Sequence, residues 1–182
     1  MNNLYFIALI PPPKICAEVS AFKEYIAKRH NSKKALRVIP HITLKAPFTL
    51  SSLRDNEVRR WFASTTPNLP PFIVQLDGFG AFDNPANPVL FVKPTINEGM
   101  KILQRNIITG FTEKFPEIPV HFHEHEFHPH MTVAYRDLTY DAFKKAWPEF
   151  QHKEFTASWE CNSFCLLKHD GNMWQVMEEN YL

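Results

Sequence analysis

One short pattern occurs twice in this chain. Residues 40–44 read Pro-His-Ile-Thr-Leu and residues 129–133 read Pro-His-Met-Thr-Val, so both copies follow the order Pro, His, apolar, Thr, apolar. On a β-strand the His and the Thr of each copy project from the same face, about 7 Å apart along the strand. A single His-x-Thr would carry no weight in a chain with nine histidines. The matched pair predicts an internal duplication.

The segments around the two copies repeat the order strand, helix, hairpin. The first copy is followed by a helical stripe (Val58, Trp61, Phe62) and by two β-rich runs, residues 72–80 and 89–93. A helix is predicted over residues 97–114. The second copy is followed by a capping Thr139, by a stripe (Phe143, Ala146, Trp147), and by a hairpin pairing residues 155–167 with 173–177 across an Asp-Gly turn.

This repetition predicts an α+β fold in which residues 1–182 form a single duplicated domain. We expect two pseudo-twofold-related lobes, each an antiparallel sheet with helices on its outer face, around a central cleft. Lobe one carries the motif at 41–44 and lobe two carries the motif at 130–133. An N-terminal strand and helix occupy residues 3–30. If the motif strands face each other, the two motifs form one site.

Composition limits the partners that such a site can have. Lys and Arg number 20 against 19 for Asp and Glu, so no overall positive field favours long duplex nucleic acid. The apolar run at residues 4–10 ends at three prolines, far short of a membrane span. Three cysteines without metal-ligand spacing argue against a disulfide framework. We therefore expect a cytoplasmic monomer that contacts neither membranes nor long duplexes.

Two histidines beside two hydroxyls suit phosphodiester chemistry. One imidazole can deprotonate the attacking oxygen while the other protonates the leaving oxygen, and the Thr hydroxyls can donate to the non-bridging oxygens. The arrangement needs no metal and no cofactor. Strand alternation extends each motif with a cation: Lys45 shares the face of the first His and Thr, and Arg136 shares that of the second. Both cations are candidate phosphate contacts.

With these paired motifs the chain resembles the 2H phosphoesterase superfamily, which contains 2′-5′ RNA ligase-like proteins and 2′,3′-cyclic phosphodiesterases. Within it, the chain is most similar to the small bacterial phosphoesterases. The resemblance implies a duplicated α+β fold whose two motifs face a central cleft. It implies that His41 and His130 are acid–base partners and that Thr43 and Thr132 hold the phosphate. The implied substrates are nucleotides or RNA ends that carry a 2′,3′-cyclic phosphate or a 2′-5′ linkage.

The second motif departs from the RNA ligase-like pattern at one position. Those members commonly have Arg five residues after the second His, where this chain has Tyr135, and Arg136 follows one step later. This shift leaves phosphoesterase chemistry better supported than a ligase-type substrate. Tyr135 is also a candidate for stacking against a base.

Two other interpretations stay open. The same fold could be a non-catalytic module that binds nucleotides or RNA ends. The tract from His121 to His128 could bind a metal, although its spacing does not fit a helical zinc-protease motif. As a strand, the tract would place His121, His123 and His125 on one face.

Overall fold

The computed structural model describes residues 1–182 and contains eight strands and five helices. The strands are β1 (Asn2–Leu9), β2 (Ile42–Ser51), β3 (Phe72–Phe82), β4 (Val89–Thr95), β5 (Met131–Ala134), β6 (Thr156–Cys161), β7 (Ser163–His169) and β8 (Trp174–Tyr181). The helices are α1 (Pro13–His30), α2 (Asp55–Ser64), α3 (Glu98–Lys114), α4 (Phe122–His125) and α5 (Tyr140–Phe150). Single 3-10 turns occupy Lys34–Arg37 and Ser52–Arg54.

The strands form two four-stranded antiparallel sheets. The first sheet has the order β2-β1-β7-β8 and the second has the order β5-β4-β3-β6. Each motif strand lies at an edge of its sheet. Its neighbour in the sheet is the preceding strand in the chain, and a helix connects the two: β1-α1-β2 in one sheet and β4-α3-β5 in the other. This equivalence confirms the predicted α+β class with two related antiparallel sheets.

The two sheets do not correspond to the two halves of the sequence. The hairpin β3-β4 follows the first motif along the chain but lies in the second sheet. The run predicted as one strand over residues 155–167 is two strands that part at Asn162, β6 in the second sheet and β7 in the first. β-propensity indicates that a segment is extended but not which sheet it joins. Each sheet therefore contains strands from both halves of the chain, whereas the sequence predicted one sheet for each half.

Local signals in the sequence place most of the helices. The predicted N-terminal strand and helix are β1 and α1, and α1 ends where Asn31 adopts a left-handed φ of 55°. Asn97 caps α3 by accepting from the Met100 amide at 2.9 Å, and Thr139 caps α5 by accepting from the Ala142 amide at 3.2 Å. None of the helices combines the length and apolarity needed to span a bilayer.

The main core is a cluster of 33 buried side chains packed between the sheets and their helices. Phe111 of α3 is fully buried there, with its ring 4.5 Å from that of Phe48, 5.5 Å from that of Trp61 and 5.0 Å from that of Phe115. A second cluster of five buried residues covers the opposite face of the first sheet: Phe6, Ala8, Val38, Cys165 and Leu167. This smaller cluster lies beside the first motif.

Phe111→Ala is expected to lower the free energy of unfolding by about 3–5 kcal/mol, because it leaves a cavity among three aromatic rings. Urea denaturation followed by tryptophan fluorescence measures the change. Phe122→Ala is the matched control, since that ring is 67% exposed and its loss should cost less than about 0.5 kcal/mol. Equal losses in the two variants would contradict this description of the core.

Candidate active site

The four motif residues occupy equivalent places at the start of the two edge strands. His41 and His130 immediately precede β2 and β5, and Thr43 and Thr132 are the second residues of those strands. All four side chains are half-buried, whereas the apolar residue between each His and Thr is fully buried. Each His and its Thr therefore face away from the main core together.

Both imidazoles are anchored by the same hydrogen bond. Nδ1 of His41 lies 2.7 Å from the carbonyl oxygen of Ile39, and Nδ1 of His130 lies 2.9 Å from that of His128. A carbonyl oxygen only accepts, so Nδ1 carries the proton in both neutral rings and Nε2 is left with a free lone pair. The intervening prolines have a fixed φ and favour extended backbone before them, which presents the carbonyl to the ring.

Aromatic rings surround each imidazole. The Phe6 ring centroid is 4.7 Å from that of His41, and the Phe82 and Phe91 centroids are 5.1 and 5.5 Å from that of His130. Phe82, near a hairpin turn, is a candidate stacking ring from the sequence, whereas Phe6 and Phe91 carry no such signal because their strands are remote from the motifs along the chain. They remove water from one side of each imidazole.

This partly apolar environment keeps both imidazoles neutral at pH 7. Burial is the largest cause and lowers the pKa of His41 to about 4, with further lowering by the charges of Lys23 and His130 and an opposing effect from the Ile39 carbonyl. Burial also lowers the pKa of His130, whose other charged neighbours are His123 and His128. His130 is among the charges that lower the pKa of His41, so the two motifs lie close enough to interact electrostatically.

A β-bulge follows the Thr of each motif. Leu44 is skipped in the pairing of β2 with β1, and Val133 is skipped in the pairing of β5 with β4. A bulge inserts one extra residue and inverts the alternation of side chains beyond it. The two edge strands therefore share a distortion as well as a motif.

The first bulge turns Lys45 into the protein, which corrects its predicted place on the face of the motif. Lys45 is fully buried, with Nζ 2.9 Å from a carboxylate oxygen of Glu124 and 4.7 Å from the Phe111 ring centroid. The same carboxylate accepts from the backbone amides of Ala46 and His121, each at 2.7 Å. The ammonium is thus neutralised internally and is not available to a phosphate.

Arg136 also differs from its predicted place. The strand β5 ends at Ala134, and Arg136 is exposed with a left-handed φ of 58°, so strand alternation does not place it on the face of His130. Its guanidinium carbon lies 5.2 Å from the ring centroid of the half-buried Tyr135. The two residues form a cation–π pair beyond the end of the motif strand.

The histidine-rich tract is not the strand that would align its histidines. Residues Phe122–His125 form a short helix capped by reciprocal hydrogen bonds between His121 and Glu124. No three His, Cys, Asp or Glu side chains of the chain converge as they would around a metal ion. The helical turn separates the histidines that a strand would have aligned.

Two carboxylates near the second motif bind the segments on either side of the first motif. Glu124, six residues before His130, holds the strand that follows the first motif, as described above. Asp137, seven residues after His130, accepts from the Ser32 hydroxyl at 2.8 Å and from the Lys33 and Lys34 amides at 2.8 and 3.0 Å. Because the bound segments lie just before and just after the first motif, the two carboxylates constrain its distance from the second motif.

Comparison with known proteins places this architecture in context. The sequence model of the 2′-5′ RNA ligase superfamily matches residues 11–173. A protein of Bacillus pumilus, named as a putative phosphoesterase, is 29% identical over 130 residues that cover 71% of this chain and 68% of the relative.

Solved structures share the fold over nearly the whole chain. TT0787 of Thermus thermophilus aligns with a TM-score of 0.63 at 20% identity, covering 98% of this chain and 97% of that one. Escherichia coli LigT in complex with 3′-AMP aligns with a TM-score of 0.61 at 15% identity, covering 99% and 98%. LigT was also crystallised with ATP and with phosphate.

Lys45→Met is expected to lower the free energy of unfolding by about 3–5 kcal/mol, because it leaves the Glu124 carboxylate buried without its cation. Chemical denaturation at pH 7 measures the loss, and Lys45→Met combined with Glu124→Gln should lose less than the sum of the single variants. Lys101→Met serves as control, since its pair with Glu98 is exposed and worth less than about 1 kcal/mol. Additive losses would show that the buried pair is not coupled.

Neutral His41 and His130 are both expected to be Nδ1-protonated tautomers, because each Nδ1 faces a carbonyl oxygen. Nitrogen-15 NMR of the imidazole rings at pH 8 distinguishes protonated from unprotonated ring nitrogens. His152, which is exposed, provides an internal reference for a free ring. An Nε2-protonated tautomer at either motif would contradict the anchoring described here.

Proposed function

Because the chain belongs to the 2′-5′ RNA ligase superfamily, we propose that it is a metal-independent phosphodiesterase acting by two-histidine acid–base catalysis. Its proposed substrates are 2′,3′-cyclic phosphates or 2′-5′ phosphodiesters of nucleotides or RNA ends. The observation that carries the proposal is the matched anchoring of both imidazoles by Nδ1, which leaves the Nε2 atom of each ring free for proton transfer.

Hydrolysis needs one neutral and one protonated imidazole. The neutral Nε2 takes the proton of the attacking water as the new P–O bond forms, and the protonated Nε2 gives its proton to the leaving oxygen as the old bond breaks. Both rings are neutral at pH 7 without substrate, but a bound phosphate is an anion that favours the imidazolium form of its neighbour. Substrate binding therefore helps to protonate the general acid.

The rest of the site is assigned by position. Thr43 and Thr132, on the same faces as the histidines, would donate their hydroxyl protons to the non-bridging oxygens, where charge must be stabilised. The Phe82 side chain is 39% exposed beside His130, so it can present a ring surface to a base. Tyr135 and Arg136 would contact the substrate beyond the phosphate, as a stacking ring and a cation.

The comparisons support this class of substrate without identifying the substrate itself. LigT has been crystallised with 3′-AMP, ATP and phosphate, so a protein of this fold accommodates phosphate and nucleotides. The Bacillus pumilus relative carries the name of a phosphoesterase. We extend these properties to the present chain because its paired motifs are placed equivalently on two related sheets.

His41→Ala and His130→Ala are each expected to lower kcat/KM for 2′,3′-cyclic nucleotides or 2′-5′ dinucleotides at least about 100-fold, since each removes one proton-transfer group. The assay contains excess EDTA, and wild-type turnover should persist in it. His152→Ala, an exposed histidine outside the motifs, is the matched control and should retain activity.

Other outcomes would contradict the proposal in distinct ways. Binding of these nucleotides by the wild type without turnover would identify a non-catalytic module of the same fold. Turnover abolished by EDTA would indicate metal-dependent chemistry. Turnover that survives loss of either motif histidine would exclude two-histidine catalysis.

A further inference from the structure

Lys23 of α1 is a buried cation without an anionic partner. Lys23 is 2% exposed, and no carboxylate oxygen lies within 4.0 Å of its Nζ. Its one hydrogen bond donates to the Val38 carbonyl at 2.8 Å. Burial lowers the pKa of Lys23 to about 8, so the ammonium remains the main form at pH 7. Buried lysines are usually paired, as Lys45 is with Glu124.

The hydrogen bond of Lys23 falls on the backbone that leads into the first motif. Val38 is three residues before His41, and the next carbonyl along, that of Ile39, anchors the His41 imidazole. Lys23 therefore holds the same short segment that orients the ring. Val38 itself is buried with Phe6, whose ring packs against His41.

Lys23 is also one of the charges that act on the first motif. The charged groups that act on His41 are Lys23 and His130, and neither is acidic. His130 is influenced instead by His123 and His128, which are titratable imidazoles rather than a buried ammonium. The titratable group that faces Lys23 is the Cys16 thiol, and burial raises the pKa of that thiol, so it stays neutral at pH 7. No carboxylate offsets the cation near the first motif.

We propose that Lys23 is a positioning residue that acts through His41: its hydrogen bond to the Val38 carbonyl fixes the backbone whose next carbonyl anchors this imidazole. The Lys23 charge adds to burial in disfavouring the imidazolium form of His41. This role deepens the proposed function, on which it rests, because His41 is there one of the two proton-transfer groups.

The test needs no turnover, so it decides the role of Lys23 whether or not the proposed function holds. In Lys23→Met, NMR titration of the ring protons should show the pKa of His41 raised by about one unit, with His130 nearly unchanged. Lys23→Arg keeps the charge and should keep the wild-type titration, and Lys28→Met removes an exposed lysine of the same helix as control. Lys23→Gln removes the charge but keeps a donor for the Val38 carbonyl, so it separates charge from hydrogen bonding if Lys23→Met is poorly folded. An unchanged His41 titration in the uncharged variants would overturn the proposal.

Discussion

Two buried or partly buried carboxylates, together with the shared core, hold the two motifs in position by linking segments far apart in the sequence. Each histidine lies at the edge of a different sheet, and no strand pairing joins those two edges. Glu124, just before the second motif, holds Lys45 and the Ala46 amide just after the first. Asp137, just after the second motif, holds the loop of residues 32–34 that leads to the first. The two links lie on either side of the second motif, so both constrain its distance from the first.

Within that frame, a local arrangement determines how each histidine can react. The order carbonyl, Pro, His places an acceptor beside Nδ1 at both motifs, so both rings are held in the same tautomer and aim Nε2 outward. The bulge after each Thr interrupts the alternation of side chains. The second residue after the Thr, Lys45 or Ala134, therefore points inward instead of sharing the face of the His and the Thr. The proposed site would bind phosphate through hydroxyls and imidazoles rather than through surface cations, which is consistent with the nearly equal numbers of acidic and basic residues in the chain.

Much of the fold follows from local patterns in the sequence, and the failures have specific causes. The N-terminal strand and helix, the helix α3, the Thr139 cap and the turn between β7 and β8 all depend on contacts within a few residues, so periodicity and capping signals predict them. The bulge that buries Lys45 and the left-handed Arg136 are single-residue departures that alternation cannot anticipate. The division of residues 155–167 between two sheets depends on tertiary pairing. The buried lysines and their partners lie outside the reach of pattern analysis, since a lysine in a sequence gives no sign of its burial.

The central claim is that the two motifs form one phosphate site, and a crystal structure with bound inorganic phosphate or a 3′-nucleotide tests it most directly. The account predicts one phosphate between the two imidazoles, with oxygens within about 3.2 Å of both Nε2 atoms and of the Thr43 and Thr132 hydroxyls. A phosphate bound by only one motif, or Nε2 atoms that point away from a common centre, would contradict it.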